Sequence, residues 1–218
     1  MTKVKICGNT NAEDVKRAID LGADYLGFIF TESKRKIDEA AAQDIMRAFP
    51  EYPSFVGVFS NQPKEFVETL ARRLGLRFLQ FHGDETALYC QHFMDEGFEV
   101  IKTFRVKDAM SLKRIDEYNV SAFLFDTFSN TEKGGTGKTF DWNLIGDRAY
   151  LLDKLFLAGG LNVDNLREAI QKVKPFAVDV ASGVESAPGK KDPQLLERFI
   201  KIAKEGQKKD VRKSPLPT

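Results

Sequence analysis

The sequence predicts a single α/β domain closed into a (β/α)8 barrel, and three observations carry that reading. Short apolar runs recur eight times, helix-like amphipathic segments separate them, and the span they occupy, residues 1–205, suits a barrel of this kind. The apolar runs are 4–7 (VKIC), 25–30 (YLGFIF), 54–60 (SFVGVFS), 77–82 (RFLQFH), 99–106 (EVIKTFRV), 122–126 (AFLFD), 154–159 (KLFLAG) and 175–181 (PFAVDVA). Short runs rich in Val, Ile, Leu and Phe fit strands buried on both faces, the condition of a parallel sheet covered by helices.

Between the first two runs, 11–23 (NAEDVKRAIDLGA) opens on Asn11, a good N-cap, and ends at Gly22, a C-cap residue. Segments 38–49 (DEAAAQDIMRAF) and 63–75 (PKEFVETLARRLG) read as the next helices, the second with Pro63 near its first turn and Gly75 as its stop. Cys90 falls in mid-helix within ALYCQHF, and 164–173 and 193–205 supply the last two helices. An open doubly wound sheet is the main alternative, but the first strand–turn, KICGNT, lacks G-x-G-x-x-G. No break in composition marks a second domain, and residues 206–218 read as a basic, frayed tail.

Hydrophobic residues make up 42% of the 218 and charged residues 30%, a balance that supports a sizeable core. The formal charge is +1, and the tail's four basic side chains against Asp210 leave the body slightly acidic. That argues against nucleic acid or an anionic membrane as a partner. Cys7 and Cys90 form no metal-spaced cluster and suit a reducing compartment. MTKVKICGNT lacks the apolar run of a secretory signal, and no segment approaches the roughly 20 apolar residues of a membrane helix. A cytoplasmic protein is expected.

Residues 133–142 (KGGTGKTFDW) invite a P-loop reading. The motif G-x-x-x-x-G-K-[ST] ending at Gly137, Lys138 and Thr139 requires glycine at 132, where the chain carries Glu132, and the preceding residues are not an apolar strand. These glycines do not form a nucleotide-binding P-loop.

Reactive groups of such barrels gather at the carboxyl ends of the strands, and there stand Cys7, His82, Asp126, the pair Gly159-Gly160, and ASGVES at 181–186. Each has a structural reading beside a functional one. Cys7 is either a small buried hydrophobe or a reactive thiol, Asp126 either caps a turn or works as an acid, and His82 is either a structural hydrogen-bonder or a base. Alternation along the first strand puts Lys5 on the face of Cys7, so a Cys7 turned to the pocket sends Lys5 into the barrel interior. A buried ammonium needs a partner, and Asp179, on the strand that closes against the first, is the expected one. AGGLN and ASGVES are either ordinary tight turns or a cradle whose N–H groups approach a phosphate, and having both favours a phosphorylated small-molecule ligand.

Together these residues resemble one family, phosphoribosylanthranilate isomerase of tryptophan biosynthesis. The matching stretches are KICGNT, GADYLGFIF, VGVFSN, LQFHGDE, FLFDT, GGTGKTFDW, LAGGLN and PFAVDVASGVESAPGKKD, in order across residues 3–192. The resemblance implies a barrel that works without metal or organic cofactor. Its reaction converts N-(5'-phosphoribosyl)anthranilate to 1-(2-carboxyphenylamino)-1-deoxyribulose 5-phosphate by an Amadori rearrangement. It implies Cys7 as general base and Asp126 as general acid, with Arg35 receiving the anthranilate carboxylate. His82 and Asp179 would be further substrate-binding residues, and Gly159, Gly160, Ser182 and Gly183 would hold the phosphate. GGTGKTFDW would be a mobile loop bordering the site, and the assembly a monomer or homodimer. A thiol needs local positive potential to act near neutrality, and Arg35 or the glycine-loop amides are its expected source. TESKRKI departs from the family in lacking a proline and in placing Lys36 where an aromatic usually follows the arginine. Two other readings stand beside this one. A histidine-pathway isomerase resembles a two-aspartate scheme, but Cys7 stands where the first aspartate belongs. A silent phosphoribosyl binder would be expected to lose Cys7 or Asp126, and both are present.

Overall fold

The computed structural model describes residues 1–127, 141–145 and 149–205. Residues 206–218, expected as a tail, and 134–140 of the expected mobile loop lie outside the described residues. Eight parallel strands pair in chain order: β1 (Lys3–Ile6), β2 (Tyr25–Ile29), β3 (Phe55–Phe59), β4 (Phe78–Phe81), β5 (Glu99–Val106), β6 (Ala122–Thr127), β7 (Leu155–Leu157) and β8 (Ala177–Val180). β8 pairs back onto β1, with Lys5 opposite Asp179, and the barrel closes as expected.

Period-two alternation sorts the side chains into two cores. Inside the barrel, Tyr25, Val56, Ile101, Leu124, Phe156 and Ala177 belong to one buried cluster. Tyr25 lies edge-on to Phe78 at 5.4 Å and to Phe156 at 5.2 Å. These rings fill the interior, leaving its carboxyl-end mouth for polar groups. Outside the barrel, Val4, Leu26, Phe59, Phe81, Phe123 and their neighbours bury a larger cluster under the helices. Each such side chain withdrawn from water contributes about 1.5–3 kcal/mol.

The helices are α1 (Ala12–Asp20), α2 (Glu39–Ala48), α3 (Lys64–Leu74), α4 (Ala87–Asp95), α5 (Leu166–Val173) and α6 (Pro193–Glu205). Asn11 caps α1 by accepting the Asp14 N–H at 2.9 Å. Leu21 is that helix's C-cap, and Gly22 follows with φ +86°. Gly75 ends α3 in the left-handed conformation.

The expectation of eight strand–helix units is corrected after β5. After β5 the chain makes only two 3-10 turns, Ala109–Leu112 and Ile115–Glu117, and after β6 the described residues again form 3-10 segments. Among 107–121 only Leu112, Ile115 and Val120 are buried apolar residues, too sparse for a continuous helical stripe. The Asp108 carboxylate accepts the Ser111 N–H at 3.1 Å and starts a tight turn instead. A short antiparallel pair, β9 (Glu185–Ala187) and β10 (Lys190–Lys191), follows β8.

Candidate active site at the carboxyl ends of the strands

Cys7 stands one residue beyond β1, where its N–H still donates to Val180 O at 2.8 Å. Asn9 secures the turn by donating from its side-chain amide to Ile6 O at 2.8 Å and Gly27 O at 3.1 Å. Gly8 takes φ +71°, and a Cβ there would lie 2.6 Å from Arg35 Cδ, so the arginine stem crosses the glycine. A Cβ on Gly27, on the inward face of β2, would lie 2.8 Å from Cys7 Sγ and 3.2 Å from Lys5 Nζ. The thiol and the ammonium share the space of that missing side chain.

Lys5 is fully buried and donates to Asp179 Oδ1 at 2.9 Å, the pair expected from strand alternation and barrel closure. This places Asp179 one strand layer below Cys7. Burial works against the charge of Lys5, but Asp179 and Cys7 outweigh it and raise the ammonium above its ordinary value. Burial pushes the Cys7 thiol up, and the Lys5 and Lys191 ammonium charges oppose the rise. Lys5 and Lys191 face the sulfur, while Arg35 is engaged by a carboxylate of its own.

That carboxylate is Glu185 of β9. Arg35 Nε donates to both of its oxygens at 2.9 Å and Nη2 to one of them at 2.7 Å. Lys191 of β10 donates to Glu185 at 3.0 Å and to the Cys7 carbonyl at 2.6 Å. Burial raises Glu185, but Arg35 and Lys191 outweigh it and hold the carboxyl below its ordinary value. Burial pulls the Lys191 ammonium down against the attraction of Glu185. The β9–β10 hairpin thus ties the loop after β2 to the backbone of Cys7. Lys36, on that loop, forms an exposed pair with Glu32.

Across the mouth, Asp126 of β6 has Oδ2 3.3 Å from His82 Nε2, both side chains about a quarter exposed at 24% and 28%. Gln80, buried on β4, places its amide nitrogen 3.0 Å from His82 Nδ1. With that amide donating, His82 accepts at Nδ1 and carries its hydrogen on Nε2, the ring nitrogen nearer Asp126. Arg105 of β5, in register with Asp126, donates to His82 O at 3.1 Å. Below this loop the buried Glu85 accepts from Asn61 N at 2.8 Å, Gly83 N at 3.0 Å and Lys102 Nζ at 2.9 Å, which holds the turn after β4 in place.

The loops after β7 and β8 touch. A Cβ on Gly183 would lie 2.0 Å from Leu161 O, and one on Gly159 2.3 Å from Thr127 N. Asn165 donates to Gly160 O at 2.9 Å and accepts from Asn162 N at 2.9 Å, fixing the glycine turn. Among the described residues no acceptor takes the N–H groups of Gly159, Gly160, Ser182 or Gly183. Four such donors on two touching loops suit an anion. No cluster of three or more His, Cys, Asp or Glu side chains able to hold a metal occurs among the described residues.

Sequence reasoning missed Gly8, Asn9, Gly27, Gln80, Arg105, Glu185 and Lys191. The available signals were the inward parity of Gly27 and the opposite charges of ES and KK flanking a tight turn.

Fold and mouth define a class: a (β/α)8 barrel whose polar groups, Cys7, His82 and Asp126 among them, gather at the carboxyl ends of the strands. Residues 4–202 match the family model described as N-(5'-phosphoribosyl)anthranilate (PRA) isomerase, and the chain belongs to that family. It is similar to the N-(5'-phosphoribosyl)anthranilate isomerase of Pelobacter propionicus, 45% identical over 213 residues that cover 97% of this chain and 100% of the relative. Monomers of the dimeric phosphoribosylanthranilate isomerase from Thermotoga maritima match with a TM-score of 0.83 and 41% identity, over 94% of this chain and 99% of that one. A phosphoribosyl anthranilate isomerase solved in complex with reduced 1-(o-carboxyphenylamino)-1-deoxyribulose 5-phosphate matches with a TM-score of 0.82 and 39% identity, over the same 94% and 99%.

Proposed function

We propose that the chain isomerises N-(5'-phosphoribosyl)anthranilate to 1-(2-carboxyphenylamino)-1-deoxyribulose 5-phosphate, a step of tryptophan biosynthesis, with Cys7 and Asp126 transferring the protons. The observation that carries the reading is the order of groups around the mouth. Cys7 after β1 and Asp126 on β6 flank the donor-lined loops of β7 and β8, so a ribose anchored there by its phosphate lies between base and acid.

In this reading the N–H groups of Gly159, Gly160, Ser182 and Gly183 hold the phosphate. Asp126 gives a proton to the furanose oxygen, the C1′–O bond breaks, and the nitrogen lone pair forms an iminium. Cys7, as thiolate, takes the C2′ proton, and the released electron pair neutralises the iminium to an enolamine. The enolamine becomes the ketone when C1′ gains a proton and the C2′ hydroxyl loses one. His82, its tautomer set by Gln80, donates toward the carboxylate that Asp126 becomes. The Arg35 N–H groups not engaged by Glu185 receive the anthranilate carboxylate. Two free cysteines fit the cytoplasm.

The test follows the loss of anthranilate-type fluorescence from freshly generated substrate. Wild type should convert it rapidly, while Cys7→Ala and Asp126→Asn should each lower turnover by about 10²–10⁴-fold and keep product binding. Near-full turnover by Cys7→Ala overturns the base assignment, and a folded wild type that leaves the fluorescence intact overturns the substrate.

A further inference from the structure

The structure assigns Lys5 a role beyond its pair with Asp179: it is the counter-ion of the Cys7 thiolate, and so a positioning residue for proton abstraction. The inference rests on the reading of Cys7 as the base, and two observations carry it.

The first is geometric. Lys5 Nζ is fully buried, donates to Asp179 Oδ1 at 2.9 Å and borders, together with Cys7 Sγ, the gap beside Gly27. A lysine that served only to neutralise Asp179 would need no opening toward the thiol. Gly27 provides that opening, because a Cβ there would meet both Sγ and Nζ. The rim position of Cys7 and the interior position of Lys5 follow from their sharing one face of β1.

The second is charge balance. Lys5 of β1, Lys191 of β10 and Arg35 of the loop after β2 surround the site, against Asp179 of β8 and Glu185 of β9. Asp14 of α1 takes the Lys191 backbone N–H and is not among the groups acting on the sulfur. With all five ionised, the three cations exceed the two anions by one. A neutral thiol leaves that excess uncompensated, whereas the thiolate cancels it, and this attraction opposes the burial that pushes the thiol up. When Cys7 abstracts the C2′ proton, the C–H electron pair stays with the substrate, the proton goes to sulfur, and Lys5 keeps its charge throughout.

The experiment titrates Cys7 in the full chain by iodoacetamide alkylation and ultraviolet thiolate absorbance across pH, with Cys7→Ser as the blank. Cys90 does not compete near neutrality, because burial pushes its thiol up to about 12. Lys5→Met should raise the Cys7 midpoint and slow alkylation near neutral pH by about tenfold or more. Asp179→Asn removes an anion and leaves the ammonium, so it should lower the midpoint and speed alkylation. Opposite shifts are not what loosened packing produces. kcat should follow the thiolate fraction with little change in KM. A Lys5→Met titration that superimposes on wild type overturns the inference, as does Asp179→Asn shifting in the same direction as Lys5→Met. If Lys5→Met does not fold, Asp179→Asn decides alone, and a midpoint that stays or rises overturns the inference. A shifted titration with unchanged kcat upholds the counter-ion and overturns Cys7 as the base, so the two readings fail separately.

Discussion

Replacing Glu185 with glutamine removes one charge from a cluster that has no solvent to fall back on. The Glu185 side chain is 4% exposed and accepts from Arg35 at 2.7 Å, from Lys191 at 3.0 Å and from the Gly189 N–H at 3.3 Å. Glutamine keeps one acceptor oxygen and turns an amide toward two cations, one of them fully buried. Removing one partner of a buried pair costs about 3–5 kcal/mol, and the retained oxygen sets this case near 3 kcal/mol. In a domain of this size each kcal/mol moves Tm by about 2–4 °C, so Tm should fall by about 6–12 °C, read by calorimetry. The pH dependence has a definite sign. Arg35 and Lys191 hold Glu185 below its unfolded value. Its contribution is therefore complete above the ordinary carboxylate pKa and is lost as pH falls through the depressed folded one. The Tm gap between wild type and Glu185→Gln should be full at neutral pH and close in acid. A variant melting within about 2 °C of wild type at neutral pH, or a gap that widens in acid, refutes the reasoning.

Two further substitutions separate catalysis from anchoring. Gly27→Ala places a methyl 2.8 Å from Cys7 Sγ and displaces the thiol. kcat should drop by about 10²-fold with KM little changed, and unchanged kcat in steady-state kinetics would remove Gly27 from the account. Gly183→Ala drives a Cβ to 2.0 Å from Leu161 O, a backbone atom that cannot swing aside, so the loops after β7 and β8 must part. Losing the N–H contacts to a charged group should raise KM by about tenfold or more, with weaker inhibition by inorganic phosphate as the independent check. Unaltered phosphate inhibition would place the anion elsewhere.

Local periodicity alone determined much of this protein. Eight apolar runs imply eight strands, closure puts the eighth beside the first, and alternation on β1 then places Lys5 under Cys7 and against Asp179. The positions of Cys7, His82 and Asp126 at strand ends were legible for the same reason, since a strand's length and parity are properties of adjacent residues. The stretch after β5, without a sustained apolar stripe, became 3-10 turns, which the count of strand–helix units had not anticipated. Only the tertiary structure decided what surrounds the reactive groups. Arg35 and Glu185 are 150 residues apart, and Lys191 and Cys7 184 apart, so no local pattern links them. Their meeting depends on where a two-strand hairpin lands after the barrel has closed. The charges that govern the Cys7 thiol therefore come partly from β1, where the sequence displays them, and partly from the far end of the chain, where only folding brings them within reach.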